Sequence, residues 1–133
     1  MVLFEHEEQN LNVSRTQLLV DRLRALQSST PEIEGAAIVS SDGLSIASVL
    51  AADIEEDRVA AMSAAMVSLG ERIASELGRG ALEQVYIKGS EGYALLTSAG
   101  NDAVLTIIAR GEARLGLLLL ELRNVVRDIA DLL

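Results

Sequence analysis

The chain has no cysteine, a single lysine, a single histidine and a single proline in 133 residues, and its only aromatic side chains are Phe4, Tyr86 and Tyr93. The missing thiol excludes disulfides, thiolate catalysis and sulfur-ligated zinc in one step. A nucleotide-binding P-loop needs a lysine closing a glycine-rich loop, and Lys88 has no such loop upstream. His6 sits in a polar N-terminal stretch, without the oriented pocket that a general base or metal ligand requires. The serines Ser40, Ser41, Ser45, Ser90 and Ser98 have no histidine in the folded region to activate them. Neither a metal, a cofactor nor a catalytic residue is expected.

Long apolar runs are also missing. The longest, Leu115 to Leu120, stops at Glu121 and Arg123, far short of the roughly 20 residues that a membrane span needs. Met1 to Glu8 lacks a basic start and turns acidic, so a secretory signal is not expected and a cytoplasmic location is. Twenty acidic against 11 basic residues give a net charge of −9, which repels phosphate backbones and anionic lipid and argues against nucleic-acid or membrane partners.

What remains is a well-specified fold. Half the residues are apolar, so one core built of Ala, Leu, Ile and Val is expected, burying roughly two thirds of the surface of the unfolded chain. Residues 1–13 read as a flexible polar arm. Ser14 reads as the cap of a first helix carrying Leu18, Leu19, Leu23 and Leu26, which Pro31 ends. Two β-prone runs joined across Asp42-Gly43 predict a hairpin, and turn chemistry accounts for Asp42 without a catalytic role. Asp53 starts a second helix whose Glu55, Glu56 and Asp57 suit its positive end. Running to about Leu77, that helix would be roughly 34 Å long.

Val59, Met62, Met66, Leu69, Ile73 and Leu77 make a continuous apolar seam along this helix. Ala60, Ser63, Ala64, Val67 and Gly70 line a second face of small residues. A helix apolar on two sides must bury both. The seam is expected on the sheet and the small face against a partner, because small side chains let another backbone approach closely. Gly78 suits a C-terminal cap. Three strands follow, Leu82 to Lys88, Gly92 to Ser98 and Ala103 to Ala109, as an antiparallel meander with short turns. A last helix opens at Gly111-Glu112, with Leu115, Leu118, Leu119, Leu122, Val126, Ile129 and Leu133 as its stripe. The order is αββαβββα: an α+β domain over 14–133, with a five-stranded antiparallel sheet, the long helix on one face and two helices on the other.

Four stretches in this order carry a family likeness: Ile33-Glu34-Gly35-Ala36-Ala37-Ile38-Val39 with Asp42-Gly43-Leu44; Ser68-Leu69-Gly70-Glu71-Arg72; Tyr86-Ile87-Lys88-Gly89 leading to Gly92-Tyr93; and Leu115-Gly116-Leu117-Leu118. On them the chain resembles the roadblock/dynein light-chain family, of the prokaryotic MglB type. The resemblance implies a homodimer or heterodimer in which third strands, here Leu82 to Lys88, meet at sheet edges and second helices, here Glu55 to Leu77, pack side by side. The residues so implicated are Val59, Ala60, Met62, Ser63, Met66, Val67 and Gly70 on the helix and Val85, Tyr86 and Ile87 on the strand.

It also implies a platform for a small Ras-like GTPase, flanked here by Glu55, Glu56, Arg58 and Arg72. Arg58 and Arg72 invite comparison with an arginine finger, but regulators of this family act by remodelling the GTPase's own switch loops. A scaffold for a motor, kinase or polarity complex, without effect on hydrolysis, is the alternative. A small-ligand sensor is disfavoured by the scarcity of aromatic and interior polar residues.

Overall fold

The computed structural model describes the backbone of residues 2–133 and the side chains of residues 15–133. Its elements are α1 (Val2–Ser29), β1 (Ile33–Ser40), β2 (Ser45–Val49), α2 (Glu56–Glu76), β3 (Val85–Gly89), β4 (Gly92–Ala99), β5 (Ala103–Arg110) and α3 (Leu115–Ala130). All pairings are antiparallel and the strand order is β2-β1-β5-β4-β3, which leaves β2 and β3 as the two edges.

The β1–β2 hairpin turns at Gly43, whose φ of 87° only a residue without Cβ adopts freely. Asp42 keeps a negative φ, so the positive angle falls on the glycine alone. Alternation along β1 and β5 divides the core. Ile38, Leu105 and Ile107 point to the side covered by α1 and α3, where Leu19, Leu23, Leu26, Leu118, Leu122, Val125 and Ile129 complete the larger cluster. Ala37, Val39, Leu96 and Val104 point to the other side and meet Ala60 and Val67 of α2. Two helices on one face and one long helix on the other is the expected layering. Arg22 of α1 donates to Asp128 of α3 at 2.8 Å, tying the paired helices at their surface.

Several boundaries differ from expectation. Helix α1 runs back through Ser14 to Val2, so Ser14 does not start it; residues 2–13 hold no Gly or Pro and several good helix formers, among them Leu3, Glu5, Glu7, Glu8 and Leu11. The side chains of the proposed arm, His6 included, lie outside the described residues. Helix α2 starts at Glu56 after an extended Glu55 rather than at Asp53. Strand β3 starts at Val85, because Leu82 turns in to pack beneath α2 instead of continuing the ladder. Helix α3 starts at Leu115, later than Gly111-Glu112, and its buried stripe includes Val125 in place of Val126.

Candidate interaction surface

Helix α2 carries two apolar stripes about 100° apart, and the structure assigns them oppositely to the sequence expectation. The small stripe is the one on the sheet. Ala60, Ser63 and Val67 are its buried residues, and Thr106 of β5 donates a 2.8 Å hydrogen bond to the Ser63 hydroxyl beneath the helix. Gly70 continues it, since a Cβ there would crowd the side chains of Leu82 and Val85. Small side chains therefore serve close approach of helix to sheet within one chain. Within the chain, Ala60, Ser63 and Val67 thus lie against the sheet, and half-buried Gly70 lies against Leu82 and Val85.

The large stripe looks outward. Met62 is 58% exposed, Leu69 49%, Ile73 50% and the helix-capping Leu77 61%. Val59 and Met66, on the shoulder between stripes, are half-buried and touch the smaller core. Beyond the C-terminal half of α2 lies edge strand β3, which pairs only with β4 among the described residues. Val85 and Ile87 face the α2 side, as their partners Leu96 and Ala94 do, and Ile87 is 43% exposed. Tyr86 faces the other side, opposite Leu95, and is 50% exposed. Its hydroxyl donates to Gln84. One surface thus joins an apolar helix ridge to an open strand edge.

Charges border the ridge at its N-terminal end. Glu55 and Arg58 form an exposed ion pair at 3.0 Å, of little energetic weight in water. Arg72 is exposed four turns further on. Glu56, exposed beside them, is engaged by β2: its carboxylate accepts hydrogen bonds from Ser45 and Ser48. Those hydroxyls, Ser45 first, hold its pKa below the ordinary 4.5, with slight desolvation opposing them. Glu56 is a latch between α2 and β2, which the separation of these residues in sequence hides.

No group of three or more His, Asp or Glu with metal-holding geometry occurs among the described residues, and no described helix is long and apolar enough to cross a membrane. The model of the Roadblock/LC7 domain matches residues 19–109. The chain is a member of the Roadblock/LC7 family. Roadblock domains are generally regulatory modules rather than enzymes. The chain is 33% identical over 111 residues to the uncharacterized protein MJ1340 of Methanocaldococcus jannaschii, which covers 84% of this chain and 96% of that protein.

Among solved structures, a Roadblock/LC7 domain from Streptomyces avermitilis superposes with a TM-score of 0.79 at 23% identity, over 84% of this chain and 94% of that one. An MglB with tetrameric arrangement superposes with a TM-score of 0.79 at 19% identity, over 89% of both chains. At these identities the likeness is one of fold. Membership of this family supports a regulator or adaptor of the roadblock type.

Proposed function

We propose that this roadblock domain is a cytoplasmic, non-catalytic homodimeric regulator of a small Ras-like GTPase. The observation that carries the proposal is the row of Met62, Leu69, Ile73 and Leu77, each about half exposed or more, beside the open edge of β3. Large apolar side chains gathered on one face of a soluble chain mark an association surface, and an open strand edge is an aggregation risk unless paired. Antiparallel pairing of β3 with its copy would extend the sheet across two protomers and bring the two α2 ridges together.

Such a pair would present Glu55, Arg58 and Arg72 of both copies around one helical platform. Exposed charges at a rim mainly steer encounter, so their role is to guide the GTPase, while the apolar helices hold it. Catalysis would stay with the GTPase, whose switch loops the platform biases toward one arrangement by binding it more tightly. An adaptor that binds without altering hydrolysis uses the same surface.

Hydrolysis and exchange by the small GTPase encoded nearest to this chain, measured with and without the protein, separate the two. A change in either rate supports regulation. Binding with unchanged rates supports the adaptor, and no binding to the GTP or GDP form removes that partner.

A further inference from the structure

A cleft of ≈ 670 Å³ opens on the side of the sheet away from α2, where the C-terminal end of α3 and the β4–β5 turn approach α1. Its floor is apolar: Leu19 of α1, Ile46 of β2, Ala103 of β5 and Leu132 after α3. Arg15 of α1 and Asp102 of the β4–β5 turn are the charged residues lining it. These two are not paired with each other. The volume lies within the roughly 300–1,000 Å³ of small-ligand sites, which combine an apolar lining with a few placed polar groups.

We propose that this cleft binds a short apolar peptide with free termini, in the size range of a dipeptide. Arg15 would take the terminal carboxylate through its planar fork of donors, Asp102 the terminal ammonium, and the floor the aliphatic side chains. Charge balance favours this class over a simple anion. The chain carries −9 overall, so a net-neutral ligand avoids long-range repulsion while still satisfying both signs at the cleft. Scarce aromatics argued against a ligand site in the sequence; the cleft dispenses with them by using aliphatic floor and opposite charges. The site is on the opposite face from the α2–β3 surface, so it stands or falls independently of the GTPase reading.

The test uses the full chain and Leu-Leu at millimolar concentration, followed by amide NMR. The expected result is saturable shifts of the Asn101 and Ala103 amides. Arg15→Gln and Asp102→Asn, both at exposed positions that should leave the fold intact, each weaken binding about tenfold or more, as loss of a charge-assisted contact does. N-acetyl-Leu-Leu, which lacks the ammonium, binds the natural protein weakly, and Asp102→Asn removes the preference between the two peptides. Absence of shifts at the β4–β5 turn, or equal binding of the acetylated and free peptides to the natural protein, overturns the proposal.

Discussion

The Thr106 hydroxyl of β5 donates to the Ser63 hydroxyl of α2 across 2.8 Å, and both residues are buried between helix and sheet. This one polar contact sits inside an apolar layer of Ala37, Val39, Ala60, Val67, Leu96 and Val104. A buried hydroxyl pair contributes most through what its loss leaves behind. Ser63→Ala should destabilise by about 1–3 kcal/mol, because Thr106 would be left without a partner. Adding Thr106→Val should recover part of that loss. Urea unfolding of both single variants and the double at one protein concentration checks this, and strictly additive losses would contradict coupling of the pair.

Val67 belongs to the same layer, 4% exposed. Val67→Ala should cost about 2 kcal/mol by loss of buried methyl groups. Val67→Arg should unfold the chain, since the charge would have no water and no partner. Circular dichroism reads this directly. A folded Val67→Arg protein that had merely lost self-association would restore the reading in which the small stripe faces a partner.

The Glu56 latch predicts a pH dependence. Its pKa is depressed in the folded state by the Ser45 and Ser48 hydroxyls, so the stability it contributes is present above the ordinary carboxylate value and is lost as pH falls through the lower, folded value. Glu56→Gln should therefore melt below the natural protein at neutral pH, by less than about 1 kcal/mol for so exposed a group. The gap should narrow as the solution is acidified below the ordinary 4.5. Melting curves at matched ionic strength test it; a gap that widens in acid contradicts the assignment.

Gly92 opens β4 with its α-carbon against the Ala109 carbonyl, where a Cβ would overlap the oxygen. Backbone atoms cannot swing aside as a side chain does. Gly92→Ala should cost at least about 1 kcal/mol through forced displacement of paired strands. Chemical denaturation gives the value, and an unchanged midpoint would contradict the close approach.

Element order, the hairpin at Asp42-Gly43 and the layering were legible from period and turn residues, because these are local signals. The two stripes of α2 were legible as stripes; their assignment was not. Periodicity reports that Ala60, Ser63 and Val67 share a face, but which face meets the sheet depends on the space above Ala37, Val39 and Val104. The short distance that Thr106 needs to reach Ser63 selects the small residues. Large side chains at Met62, Leu69 and Ile73 were then left outside. Glu56 read as a helix-start charge because its partners, Ser45 and Ser48, belong to another element, and no spacing rule connects Arg15 with Asp102.

The proposed association surface is the outward ridge of α2 with the edge of β3. Light scattering at micromolar concentration on the natural protein and on Ile73→Arg, with circular dichroism to verify folding, decides whether this surface associates. Ile73 is half exposed, so the substitution leaves the fold intact while placing charge in the contact. A dimer mass for the natural chain and a monomer mass for a folded Ile73→Arg is the result expected. A monomeric natural chain, or an Ile73→Arg variant that dimerises as strongly as the natural protein, would contradict the account.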